Sequence, residues 1–281
     1  MAANKAQMSG TAREYWDKPE VQEVRLRRGI RRDFSCAMEG DEPNMSFGED
    51  TTEIDDTGLR RDETAAVAFL EQLAGGGPAL ELAIGAGHIA LPLAARGIRV
   101  DGIDFSPAAT AKLRAKPGGD QISVTIGDFA DVSVPGSYQL VFVVFNRLFH
   151  LLTQGDQVRC FENVAAHLAG DGSFVVEAFV PTFLYRLRND QHVDAAAIGV
   201  REVWLDVGRH DPLTQRLDEI HVRLTREEGV RLHPVVTRYA WPSELDLMAR
   251  IAGLRLKERW AGWNREPFNS ASNTHISVYG R

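Results

Sequence analysis

Residues Ala79 to Ala90 read Ala-Leu-Glu-Leu-Ala-Ile-Gly-Ala-Gly-His-Ile-Ala, an apolar run passing directly into a helical pattern. Gly85 and Gly87 stand in the turn between them, and a turn that brings main chain close to a ligand needs residues without a Cβ. Asp104 ends the next apolar run, 17 positions after Gly87, where a carboxylate can accept hydrogen bonds from ribose hydroxyls. Gly127-Asp128-Phe129 closes the third run and supplies a second acid, able to accept from an adenine amino group. Together these residues describe a crevice for a nucleoside-containing cofactor. Gly85-x-Gly87-x-x-Ala90 also satisfies the nicotinamide dinucleotide fingerprint, which keeps an NAD(P)-dependent oxidoreductase as the alternative. Glu81 opposes it: a carboxylate inside the first strand repels a pyrophosphate and suits an ammonium. No Tyr-x-x-x-Lys pair is present to donate a proton.

The elements needed to position this set can be read from periodicity. Ala79–Ile84, Arg99–Ile103, Ile122–Ile126, Tyr138–Phe145 and Ser173–Phe179 have strand composition. Helical patterns separate them: one capped by Asp62, one over Ile89–Ala95, one opened by Ser106-Pro107, and one behind Thr153 and Asp156, spaced as a capping box. Strands alternating with helices predict βαβ units, so the fold class is α/β with a parallel sheet covered on both faces. Past Val180 the pattern changes. Arg201–Val207, Gln215–Thr225 and Arg231–Tyr239 read as an antiparallel insert of three strands. A helix opened by Pro242 and two terminal strands, Leu254–Trp260 and His275–Tyr279, then complete seven strands. Residues 11–34 read as an Arg-rich helix and Met38–Gly58 as a long acidic loop. The expected division is a helical lid and acidic loop over 1–61, a cofactor-binding core over 62–182 and 241–281, and a substrate-side insert over 183–240.

Composition narrows the partners. The chain has 281 residues with 32 Lys+Arg against 39 Asp+Glu, a formal net charge of -7. That balance argues against nucleic acid, whose binding draws on basic side chains. The 2 cysteines, Cys36 and Cys160, match no metal-ligand spacing, so no metal is expected and a reducing cytoplasm fits. The longest apolar run, Leu140–Phe145, is far too short to span a bilayer, which excludes a membrane-embedded chain.

On the Glu81–Gly87 turn, Asp104 and Asp128, the sequence resembles the class I S-adenosylmethionine-dependent methyltransferases, and more narrowly the small-molecule, natural-product tailoring type. The resemblance implies a Rossmann-like doubly wound sheet of seven strands with S-adenosyl-L-methionine as cofactor. It implies that Glu81, Ala83, Gly85 and Gly87 line the methionine end, that Asp104 holds the ribose with Phe105 and Ser106 beside it, and that Asp128 and Phe129 meet the adenine. Tyr15 and Phe145 join the cofactor set, and Asn146 lies at the edge where the family presents its transferable methyl group. The family's usual Glu-x-Gly-x-Gly-x-Gly is here Glu81-x-Ala83-x-Gly85-x-Gly87. The implied acceptor is a small molecule with an O, N or C nucleophile; a homodimer stays open, and so does a non-catalytic binder of the cofactor. Should the acceptor need deprotonation, His150 is the first choice of base, with packing as the competing role; His210, His221 and His233 are scattered through the insert. Trp16, Phe183, Tyr185, Trp204 and Tyr239 are the candidate aromatic walls of an acceptor pocket.

Overall fold

A computed structural model describes residues 62–281 of the chain. The expected lid and acidic loop, with Tyr15 and Trp16, lie outside the described residues. The elements in chain order are α1 (Glu63–Ala74), β1 (Ala79–Leu82), α2 (Ala90–Ala95), β2 (Val100–Asp104), α3 (Pro107–Ala115), β3 (Ser123–Ile126), β4 (Tyr138–Val143), α4 (Gln154–His167) and β5 (Leu168–Phe179). Four strands follow, β6 (Gln191–Ile198), β7 (Glu202–Asp211), β8 (Arg216–Thr225) and β9 (Gly229–Arg238), and then α5 (Pro242–Ile251), β10 (Arg255–Trp260) and β11 (Thr274–Gly280).

Seven strands form one sheet in the order β10-β11-β5-β4-β1-β2-β3. The five from β1 to β5 are parallel, β11 runs antiparallel to β5, and β10 antiparallel to β11. β4 reads as a continuous apolar run because alternate residues enter different cores. Leu140 and Phe142 pack with Phe69, Leu93 and Leu113 of α1, the α2 helix and α3. Val141 and Val143 pack with Phe161 of α4 and with Leu245 and Met248 of α5. Helices thus cover both faces, and the order reverses direction between β1 and β4, where an open α/β sheet forms its ligand crevice.

Local chemistry sets the helix ends. The Ser106 hydroxyl accepts the Ala109 N–H at 3.2 Å and Thr153 Oγ1 accepts the Asp156 N–H at 3.1 Å, so two of the three expected helix starts are capped by their side chains. Asp62 precedes α1 but its side chain makes no capping bond to it. Gly75, at φ 55°, stops that helix in the left-handed conformation.

The insert is a separate antiparallel sheet of four strands, β6-β7-β8-β9, rather than the three expected. The additional strand, β6, pairs along one edge only, and most of its residues are exposed, so it needs no apolar alternation to exist. The insert is pinned to the core at its base. Leu217 and Tyr239 enter the α4/α5 core. Arg238 is buried and donates to Gln157 Oε1 at 2.6 Å, Gln215 Oε1 at 2.8 Å and Glu244 Oε1 at 2.7 Å. Gln157 returns an N–H to the Arg238 carbonyl at 2.8 Å. One guanidinium thereby ties β9 to α4 and α5, its two terminal nitrogens meeting a carboxylate and two amide oxygens as a buried charge requires.

Candidate active site

The site lies where β1 and β4 end. Three residues other than glycine adopt positive φ there: Ala83 at 54°, Phe145 at 59° and Asn146 at 61°. Each such residue costs on the order of 1–3 kcal/mol and persists only where its surroundings impose it. At the end of β4 the imposing groups come from β5. Glu177 Oε2 accepts the Phe145 N–H at 2.8 Å, and Asn146 Oδ1 accepts the Phe179 N–H at 2.7 Å. Asn146 then starts the 3-10 turn Arg147–His150, its carbonyl accepting the Phe149 N–H at 2.9 Å. The sequence reading missed Glu177. The only signal was an acid interrupting the apolar run Phe174–Phe179.

Glu81 stands in the middle of the sheet, between Gly102 of β2 and Phe142 of β4. It is 2% exposed, and its carboxylate faces the start of the α2 helix, where the Ala90 N–H donates to it. Its Oε2 is buried with no hydrogen-bond partner. Desolvation, the largest influence, holds its pKa well above the ordinary carboxylate range; the nearby charge of Asp104 adds to the shift, while the Ala90 bond and the charge of Arg147 oppose it.

Asp104 accepts the Gly85 N–H through Oδ2 and the Ser106 N–H through Oδ1, both at 2.7 Å. It therefore braces the two βα turns that bound the crevice. A carboxylate has about four lone-pair positions, the chemistry that accepting from ribose hydroxyls calls for. Gly85 has φ 56°, and among the described residues a Cβ built on it would meet only the Ala83 carbonyl, at 4.0 Å. Phe105 is 56% exposed beside it and Asp128 is exposed after β3, its Oδ1 accepting the Ala130 N–H at 2.9 Å.

Several expected site residues also have structural roles. Gly87, at φ 78°, does not border open space: a Cβ there would collide with the Leu113 side chain of α3, so this glycine serves close packing of two elements. The Ser106 side chain caps α3 and is buried. The Phe129 ring is sealed within the α4/α5 core, which leaves only its main chain to face a ligand. Of the expected aromatic walls, Tyr239 is a core residue whose hydroxyl pairs with His210 Nε2 at 3.0 Å, and Tyr185 is 80% exposed with its ring beside Trp241. Phe183 and Trp204 do face the inner side of the insert. The Phe183 ring lies between Phe179 and His192, each centroid at 5.9 Å, and Trp204 is buried under Arg223 and stacked on His233. These rings therefore do not converge on one aromatic box.

His150 ends the 3-10 turn beside the site. Burial, and secondarily the charge of Arg147, lowers its pKa from 6.5 to about 3. It is neutral at physiological pH and resists taking up a proton. Among the described residues no cluster of His, Cys, Asp or Glu could hold a metal ion, and no helix is long and apolar enough to cross a membrane.

Residues 79–172 match the family model described as a methyltransferase domain. The chain is similar to the CcbJ methyltransferase from Streptomyces caelestis, at 36% identity and a TM-score of 0.79, covering 86% of this chain and 99% of that one. It is also similar, at 24% identity over 202 residues, to the cypemycin N-terminal methyltransferase of a Streptomyces species, across 72% of this chain and 82% of the relative. CalS10, an amino pentose methyltransferase from Micromonospora echinaspora solved with S-adenosylmethionine bound, shares the fold at 18% identity and a TM-score of 0.61, covering 81% of this chain and 96% of that one.

Proposed function

Because the chain belongs to the S-adenosylmethionine-dependent methyltransferases, among those that tailor natural products, we propose that it methylates an amine nitrogen of a small-molecule acceptor. The observation that carries the cofactor assignment is the orphaned Oε2 of Glu81 beside the open Cα of Gly85. A buried carboxylate with one unanswered oxygen fits an ammonium partner, and a left-handed glycine facing empty space fits close approach of the methionine moiety. Asp104 would accept from the ribose hydroxyls, with Phe105 along the ring. Asp128 would accept from the adenine amino group, and the Phe129 main chain would border it. Bound there, S-adenosylmethionine supplies a methyl group carried on a sulfonium and open to in-line attack. Phe145 and Asn146, fixed by Glu177 and the Phe179 N–H, would hold the edge of the acceptor's approach.

Residues 183–240 serve in this reading as the acceptor-side platform. A nitrogen acceptor is favoured by the state of His150, which burial keeps neutral and resistant to taking the proton of a hydroxyl. The names of two relatives, an N-terminal and an amino pentose methyltransferase, point the same way. Calorimetric titration of the full chain with S-adenosylhomocysteine and, separately, with NAD tests the cofactor: heat with NAD alone refutes the assignment. Transfer of labelled methyl across amines, phenols and indoles tests the acceptor, and incorporation into phenols only would reject the amine.

A further inference from the structure

The register of the insert sheet gathers on one face residues that the sequence spreads over 42 positions. His192 of β6, Gly208 of β7 and Glu219 of β8 lie in one row across the strands, and Asp194, Asp206, His221 and His233 in the next. Leu217 and Thr237 continue that face at the base of the sheet, where Leu217 enters the core. The face is therefore turned toward the core, and β9 packs against the Arg147–His150 turn that ends the central strand. The opposite face carries Val193, Ile220 and Leu232 instead.

Two histidine–carboxylate pairs sit in these rows, and they differ in access. The His192 ring crosses over Gly208, where any Cβ would collide with it, and its Nε2 lies 3.4 Å from Glu219 Oε1. Its side chain is only 9% exposed and its Nδ1 is buried without a partner, so this pair presents little of its imidazole to a ligand. His221 is the open pair. Its Nδ1 lies 2.6 Å from Asp206 Oδ1, and the side chain keeps 28% of its surface, leaving the opposite ring nitrogen to meet another molecule. A carboxylate fixed on one imidazole nitrogen sets the tautomer that makes the other nitrogen a proton acceptor.

Resting on the methyltransferase reading above, we propose that His221, held by Asp206 across β7 and β8, accepts the proton that the acceptor nitrogen loses as it is methylated. The acceptor's lone pair forms the new N–C bond, the C–S bond breaks with its electrons passing to sulfur, and the proton on nitrogen moves to Nε2 of His221. Asp206 faces the resulting imidazolium. The bond to Asp206 is the largest influence raising the His221 pKa; burial opposes it, Asp206 and Glu219 add charge of the favourable sign, and the cationic form of His192 opposes. Asp194 of β6, Glu202 and His210 of β7, Arg223 of β8, and Arg231 and His233 of β9 complete the charged and titratable groups on this face. From the core, the Arg147–His150 turn packs against β9, and its His150 is driven toward the neutral form, so it does not compete for the proton.

The test uses the full chain with two variants, His221→Asn and Asp206→Asn. In imidazole nitrogen NMR titrations, the His221 resonance should titrate above the ordinary histidine range and move downward in Asp206→Asn. With labelled S-adenosylmethionine and glucosamine or prolinamide as probe acceptors, His221→Asn should lower kcat by roughly 10²-fold, the usual scale of general-base assistance, with the deficit shrinking as pH falls and His221 of the parent takes up a proton. Asp206→Asn should shift the acidic limb of the kcat profile to lower pH. S-adenosylhomocysteine affinity should be unchanged in both variants, which separates this inference from the cofactor assignment. A His221 titration unmoved by Asp206→Asn overturns the proposal, as does a His221→Asn enzyme within about twofold of the parent at every pH. Failure of both amines to accept label while S-adenosylhomocysteine binds would reject the acceptor class, and the titration would still decide the His221–Asp206 pairing.

Discussion

Replacing Glu81 with Gln separates what this residue does for the fold from what it does for the cofactor, because the two effects have opposite signs. In the chain alone Glu81 is 2% exposed, Oε2 has no partner, and only the Ala90 N–H answers the group. Its pKa is raised in the folded state, so its favourable contribution is complete below the unfolded value of 4.5 and is lost as pH rises through the folded value. At neutral pH the carboxylate therefore weakens the fold. Glu81→Gln keeps the shape and removes the charge, and a gain of about 1 kcal/mol would raise Tm by roughly 2–4 °C in a domain of this size. The gain should vanish below the unfolded pKa. Cofactor binding should respond in the other direction. A hydrogen bond to a charged group contributes about 1.5–3 kcal/mol, so the variant should bind S-adenosylhomocysteine roughly 10- to 150-fold more weakly. Because an ammonium favours ionised Glu81, binding to the parent should release protons, and affinity should fall as the solution is acidified. Isothermal titration in buffers of different ionisation enthalpy reads the proton count, and differential scanning calorimetry reads Tm. A variant that binds as tightly as the parent would refute the ammonium-facing role, whatever happened to its Tm.

The two glycines of the turn should behave differently. Gly85→Ala places its Cβ in open space at φ 56°, so it should cost the fold about 1–2 kcal/mol and also weaken S-adenosylhomocysteine binding; Gly87→Ala drives a Cβ into Leu113 and should cost about 1–3 kcal/mol with affinity per folded molecule kept, as urea melts and calorimetry together would show. Arg238→Met leaves Glu244 without its buried partner and should lose about 3–5 kcal/mol in urea unfolding; a loss under about 1 kcal/mol would mean that the insert is not held by this tie. His150 and His275 are both lowered from 6.5 to about 3, His150 by burial and then Arg147, His275 by burial and then Arg259. Their contribution is complete above the unfolded value and is lost as pH falls, by up to about 1.4 kcal/mol per pH unit for each group. His275→Asn should therefore halve the pair's share of the proton uptake measured on unfolding between about pH 6.5 and pH 5.

What could be read from the sequence follows from which residues act alone and which act through register. Glu81 and Asp104 stood out because each is an acid at a strand position where burial calls for an apolar residue, and one polar exception within a short run is visible without a structure. The parallel strands were legible for the same reason: β4 feeds both cores, so its apolar run is unbroken. Motif position, by contrast, cannot tell a glycine with room beside it from one packed on a leucine, and among the described residues Gly85 and Gly87 share a signature while a Cβ would meet only the Ala83 carbonyl at the first and Leu113 at the second. Ser106 and Phe129 are ambiguous likewise, since helix capping and core filling use the same residue types as cofactor contact. β6 was invisible because an exposed edge strand obeys no alternation. His221 was present in the reading only as one of several scattered histidines, since its partner Asp206 is 15 residues away and only the antiparallel pairing of β7 and β8 sets them opposite each other. A signal was available. Along β8 the residues Leu217, Glu219, His221 and Arg223 alternate with Asp218, Ile220, Val222 and Leu224, so beyond its first pair the strand has a polar and an apolar face. The polar side is the one that Leu217 turns toward the core, and a polar face directed inward has to be explained by what it meets there.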